Sequence, residues 1–216
     1  MSKHKEFLAA MGIDVWVSRD NITSPLAVDE ATDLPDLART VAACARCELH
    51  THRTQTVFGA GNPSAQWMVI GEAPGAEEDR SGEPFVGRAG QLLSAMFLAI
   101  GLPREQLYIA NILKCRPPES RDPKAIEIAQ CRSYLARQVA LVEPRIIVAV
   151  GRVAAQNLLE KTTPISKMRG QRYTYGDQEI PVVVTYHPAD LLRSPQEKRK
   201  SWQDLNFAKK VFEENT

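Results

Sequence analysis

An α/β fold built on a parallel sheet is predicted by three features of the 216-residue chain. Four short apolar runs, WMVIG (67–71), YIANIL (108–113), IIVAVG (146–151) and PVVVTYH (181–187), have strand length and little polar alternation, as strands buried on both faces do. Helical stretches separate them, which gives βαβ units. The unusual polar and Gly/Pro-rich segments all fall at the carboxyl ends of these runs, the edge where open α/β sheets bind ligands.

Taken in order, residues 1–40 read as an appended segment. It holds an amphipathic stretch, Phe7, Leu8, Met11, Ile13, Val15 and Trp16, and then a polar linker with Pro25 and Pro35. The domain proper occupies residues 41–216. After the first strand run comes a helix-like QLLSAMFLAIG (91–101), and after the second a long helix from Pro123 to Val142. Asp122 serves there as the expected N-cap, Pro123 as the first helical residue, and Glu143-Pro144 as the stop. VAAQNLL (153–159) forms a shorter helix after the third run, and a C-terminal helix closes the chain.

Composition excludes several classes. With 44% hydrophobic and 25% charged residues, 12 Gly and 14 Pro, the chain is neither collagen-like nor disordered. No apolar run approaches a membrane span, and the N-terminus lacks a signal-peptide h-region, so a cytoplasmic protein without membrane contact is expected. The formal net charge of +1 hides an uneven distribution. Residues 161–176 carry four basic residues and no acid, and residues 187–210 carry six basic and three acidic residues. Residues 1–47 lean the other way, with five basic and seven acidic residues. Basic segments therefore flank His187 and suit a polyanionic partner.

Four cysteines, Cys44, Cys47, Cys115 and Cys131, follow a C-x2-C…C-x15-C pattern. In a reducing compartment such a set fits a four-thiolate zinc site or an iron–sulfur cluster, and a redox pair with two unrelated core cysteines is the plainer alternative. His50 and His52 stand close enough in sequence to be further ligands. Asn111 sits among Ile109, Ala110, Ile112 and Leu113, where an unpartnered amide would cost roughly 1–3 kcal/mol. Its planar acceptor and donors complement a pyrimidine edge, although a mid-strand Asn also serves as a structural hydrogen bonder. Phe85 offers a flat stacking surface and His187 a polar partner beside it.

The runs GEAPGAEEDRSGEPFVGRAGQLL (71–93), ANILKCRPPESRDP (110–123) and TYHPADLLR (185–193), with the cysteine spacing, resemble the family-four, iron–sulfur-containing uracil-DNA glycosylases. The resemblance runs from about residue 40 to the C-terminus. It implies a three-layer α/β/α sandwich with a central four-stranded parallel sheet, and a 4Fe-4S cluster on Cys44, Cys47, Cys115 and Cys131. It also implies hydrolysis of the bond between uracil and deoxyribose in double- or single-stranded uracil-containing DNA, the opening step of base excision repair, by a monomeric, nucleoid-associated enzyme.

Position by position, the resemblance implies that Phe85 stacks on the flipped base and that Asn111 accepts from N3–H and donates to O4. His187 donates to O2 as charge grows on the departing base. Ala73 and Gly75 belong to the pocket wall, Leu191 and Leu192 to an apolar wedge, and Arg193 to a phosphate contact; ordinary amphipathic-helix roles are the alternative for the two leucines. Ala73 stands where the best-known glycosylase family has a catalytic Asp, so Glu72 becomes the candidate for water activation, or else a turn-capping carboxylate. Lys114, Arg116 and Arg121 are expected to approach DNA.

Two other readings stand beside hydrolysis. Some relatives trap uracil-DNA covalently through a His in a basic loop after the second strand; the equivalent CRPPESRDPKA has no His. A non-catalytic DNA or replisome binding module is the other. Met11–Trp16, within residues 7–19, loosely resembles the peptide by which the psi subunit of the bacterial replicative polymerase engages its clamp loader, and packing of this stretch on its own domain is the plainer expectation.

Overall fold

The computed structural model describes Val28 and residues 31–215. The amphipathic stretch at residues 7–19, with its expected clamp-loader contact, lies outside the described residues. Helix α1 (Leu34–Ala42) begins at Asp33, whose carboxylate accepts the Asp36 N–H at 2.7 Å. The boundary expected at residue 40 falls inside this helix. Leu37 and Val41 are fully buried there with Tyr134, so the folded body begins earlier than sequence punctuation suggests.

Strand β1 (Ala60–Gly61) precedes β2 (Trp67–Gly71), helix α2 (Ala76–Ser81), helix α3 (Arg88–Ala99) and β3 (Leu107–Asn111). Then come α4 (Ala125–Val142), β4 (Ile146–Val150), α5 (Arg152–Leu158), α6 (Ile165–Met168), β5 (Arg172–Tyr175), β6 (Ile180–Thr185), α7 (Pro188–Arg193) and α8 (Lys198–Glu214). The sheet order is β1-β3-β2-β4-β6-β5. Its four central strands are parallel, as expected, while β1 and β5 add short antiparallel edges that the apolar runs do not mark. Among the described residues the sheet is therefore six-stranded and mixed.

Every residue of β2, β3, β4 and β6 is buried, because alternate side chains enter two separate cores. Met68, Ile70, Ala110, Ile147, Ala149, Val182 and Val184 meet Leu135, Val139 and Val142 of α4 and Ala154, Ala155 and Leu158 of α5. On the opposite face Trp67, Val69, Ile109, Ile146, Val148 and Val183 meet Leu93 and Phe97 of α3 and Leu205, Ala208 and Val211 of α8. Three layers result. The register aligns Gly71 with Asn111 and Val150 with Thr185, so the carboxyl ends of the central strands form one rim.

One helix start differs from expectation. α4 begins at Ala125 with Lys124 as its N-cap residue, rather than at Pro123 after Asp122. Glu127 explains this: its carboxylate accepts the Lys124 N–H at 2.7 Å and so caps the helix from inside, while Asp122 is drawn away to Arg152 at 2.5 Å.

Candidate active site and cysteine cavity

The rim of the sheet opens into a cavity of about 470 Å³ lined by Glu72, Ala73, Gly75, Phe85, Asn111, His187 and Arg193, with Glu78, Arg121, Asp122, Arg152 and Asp190 around them. Its floor is the paired ends of β2 and β3. A Cβ on Gly71 would lie 2.4 Å from Asn111 Oδ1 and 2.6 Å from Phe85 Cζ, so only glycine lets the ring and the amide sit together. Asn111 is 2% exposed and its Oδ1 has no hydrogen-bond partner among the described residues. A buried acceptor left open faces a missing donor.

Phe85 holds a left-handed backbone, φ 54°, which a bulky residue adopts only under constraint. Two side chains impose it. The Glu78 carboxylate accepts N–H groups from Val86 at 3.0 Å, Gly87 at 3.1 Å and Gly75 at 3.1 Å. From the other side, the Arg104 guanidinium donates to the carbonyls of Pro84 at 2.6 Å and Phe85 at 3.2 Å. Burial lowers the pKa of this guanidinium, with Glu83 and Glu105 opposing. Neither Glu78 nor Arg104 was marked by the sequence, since an acid in an acid-rich turn and an arginine in a distant loop carry no periodic signal.

His187 caps its own helix: its Nδ1 accepts the Ala189 N–H at 3.2 Å, and Pro188 follows at the first helical position. An accepting Nδ1 leaves the proton on Nε2. Burial pushes the ring's pKa below its ordinary value, with Asp190 opposing and Arg193 reinforcing, which favours the neutral imidazole. The ring lies 5.6 Å from that of Phe85, centroid to centroid. Gly151, at φ 96°, passes beside it, and a Cβ there would come within 3.0 Å of His187 Cβ.

Glu72 is partly buried at the rim, and burial raises its carboxyl pKa, with Asp122 adding to the rise, Arg152 opposing it and Asp190 adding again. The expected wedge divides in two. Leu191 is fully buried beneath α7, while Leu192 is 36% exposed, so only Leu192 is free to enter a base stack. Arg193 is exposed and paired with Asp190.

Of the three cations expected on DNA, Lys114 faces the interior instead. Lys114 is 1% exposed, and its ammonium donates to the Asn111 carbonyl at 2.8 Å and to Gln138 Oε1 at 2.5 Å. Arg121 lines the cavity but is held bidentately by Glu127, at 2.9 and 2.5 Å. Arg116 is partly buried, and its Nε has no partner among the described residues.

Behind Lys114, Cys44, Cys47, Cys115 and Cys131 line one small cavity together with His50, Arg53 and Tyr134. All four are free thiols. Among the described residues no group of three or more His, Cys, Asp or Glu side chains is arranged to hold a metal ion directly. The cavity chemistry nevertheless suits an anionic thiolate centre. Arg53 donates to Cys115 Sγ at 3.0 Å, and the Lys114 ammonium lies deep with no carboxylate partner among the described residues. Burial pushes the thiols of Cys47 and Cys115 up and that of Cys131 up to about 11, a preference that a cationic metal core among them reverses. His50 is exposed, its Nδ1 against the Cys47 carbonyl at 2.8 Å, and His52 is exposed as well.

A mixed α/β sheet whose parallel strands gather a flat ring, an open buried amide and an imidazole at their carboxyl rim has the chemistry to take a planar hydrogen-bonding ring. The profile of the Uracil DNA glycosylase superfamily matches residues 58–206, and the chain belongs to that superfamily. It is 44% identical over 178 residues to the Type-4 uracil-DNA glycosylase of Archaeoglobus fulgidus, an alignment covering 80% of this chain and 89% of that protein. Similarity to the Type-4 uracil-DNA glycosylase of Thermotoga maritima is 41% identity over 174 residues, covering 78% and 89%. The Type-5 uracil-DNA glycosylase of Pyrobaculum aerophilum is more distant, 28% identical over 188 residues, covering 72% and 82%.

Proposed function

We propose that this chain is a DNA glycosylase that excises uracil and so opens base excision repair. The observation that carries the reading is the buried, unpartnered Asn111 Oδ1 facing the cavity that Phe85 and His187 share. Uracil presents N3–H to that oxygen and O4 to the amide nitrogen. Cytosine presents the reverse order and leaves both groups unpaired, at a cost of roughly 1–3 kcal/mol each.

The base leaves the DNA stack and lies against the Phe85 ring, with Leu192 filling the gap it vacates. As the glycosidic bond lengthens, negative charge grows on O2, and His187 Nε2–H donates to it. One such donor contributes about 2.7–4 kcal/mol. Because Nδ1 is already engaged by Ala189, the imidazole acts as a neutral donor and keeps its proton. Glu72 holds the attacking water and offsets positive charge on the sugar; its raised pKa brings its proton affinity closer to neutrality.

Cys44, Cys47, Cys115 and Cys131 would hold a 4Fe-4S cluster. When bound, it supplies cross-linking rather than electrons, tying the segment after α1 to the loop after β3 and to α4. The protein works as a monomer in the cytoplasm. A labelled oligonucleotide with one uracil tests the function: free base and an alkali-labile site are expected. Release of no base, or a covalent protein–DNA adduct, overturns it.

A further inference from the structure

We propose that the exposed face at the start of α8 is a second DNA-contacting surface, holding the single-stranded flank of the strand whose base occupies the pocket. It rests on the uracil-excision reading for the pocket's occupant, but its own observations lie outside that pocket. Trp202 is 46% exposed on a helix whose other side is buried through Ser201, Asp204, Leu205, Ala208 and Val211. A single exposed apolar side chain needs no explanation, but this one has cationic surroundings. Lys198, Arg199 and Lys200 are exposed in the turn before it, and Arg199, three residues earlier, shares its stripe.

The acids nearby are already engaged. Glu197 pairs with Lys200 at 2.6 Å, and buried Asp204 is held by Arg169 at 2.7 and 2.8 Å. Arg169 also donates to the Lys200 carbonyl at 2.7 Å, which fastens the end of α6, whose Lys167 is exposed, to the same end of α8. Thr185, the last residue of β6, donates to Asp204 at 2.8 Å. That bond places the first turns of α8 at the carboxyl rim of the sheet, where the pocket opens. Arg193 lines the pocket, and at most roughly 18 Å of chain separates it from Lys198.

Cations complement phosphates, and an open indole complements the face of an unpaired base. In duplex DNA the bases are stacked and offer no such face, so the occupant is single-stranded. The full chain, its Trp202→Ala variant and its Lys198→Ala/Arg199→Ala variant are compared for binding a labelled, uracil-free, twenty-nucleotide strand and the same sequence as a duplex. Trp202→Ala is expected to weaken single-strand binding about tenfold while changing duplex binding less than about twofold. The double variant is expected to lower the salt slope by about 1.4. Both should excise uracil from a trinucleotide at the unaltered single-turnover rate. Unchanged single-strand affinity in Trp202→Ala, or an equal loss on duplex, overturns the proposal, as does an unchanged salt slope. Because the probe lacks uracil, a wild-type chain that excises nothing counts against the pocket reading and not against this surface.

Discussion

Asn111 and Lys114 are joined at the floor of the pocket, where the buried ammonium donates to the Asn111 carbonyl at 2.8 Å. The same ammonium reaches Gln138, which in turn donates to the Phe58 carbonyl at 2.9 Å and contacts the Tyr108 hydroxyl at 3.1 Å. Asn111 therefore shares its support with the cysteine cavity behind it.

Lys114→Met tests that shared support. The variant keeps the side chain's length but leaves the Asn111 carbonyl and Gln138 Oε1 without a donor, a loss of roughly 1–3 kcal/mol for each. It also removes the positive charge beside Cys115. Anaerobically prepared wild type should carry about four irons per chain and a broad brown absorbance. Lys114→Met is expected to lose iron to a chelator faster and to excise uracil more slowly; full iron retention with a wild-type rate contradicts the link.

The pH profile separates Glu72 from His187. The carboxyl pKa of Glu72 is raised above its ordinary 4.5, so its working anion is lost as pH falls through that raised value. That of His187 is lowered below 6.5 by burial, so its ring stays neutral further into acid than a solvated imidazole does. Single-turnover excision should accordingly show an acid limb above pH 4.5 that disappears in Glu72→Gln. That variant should be slower at neutral pH with little change in DNA affinity. An unchanged rate removes Glu72 from catalysis.

Asn111→Asp replaces the donor to O4 with a buried carboxylate oxygen. Excision of uracil should fall about a hundredfold or more, because the donor contact to O4 becomes a repulsion between two oxygens and only the N3–H contact remains. Comparable single-turnover rates on uracil in wild type and variant would discard the proposed base contacts.

Arg104→Ala releases the carbonyls of Pro84 and Phe85 and allows the strained φ at Phe85 to relax. With the stacking surface no longer held in place, KM should rise about tenfold while the chemical step changes less. Phe85→Leu, which keeps the bulk but not the ring, should show the same direction. If Arg104→Ala lowers thermal stability without moving KM, the clamp serves folding alone.

The central strands were legible because WMVIG, YIANIL, IIVAV and PVVVT are apolar without alternation, the mark of burial on both faces. β5 was not, because RYTY alternates at an exposed edge within a tract read only for its charge. β1 is two residues long and too short to leave a pattern. At the site, Asn111 and His187 stood out as polar residues interrupting apolar runs. Lys114 was misread, since a lysine next to Arg and Pro signals solvent until its partners are known. Leu191 and Leu192 are adjacent and chemically alike, and only the rotation of α7 tells the buried one from the exposed one.

Gly71 gives the pocket a shared wall of no thickness between its two recognition devices. A single methyl group there would strike both the amide that reads the base and the ring that stacks on it. The two cannot be altered one at a time through this position. A lineage seeking a different damaged base would find its openings among the cavity's exposed residues, such as Ser120, where a new side chain has solvent rather than the floor around it.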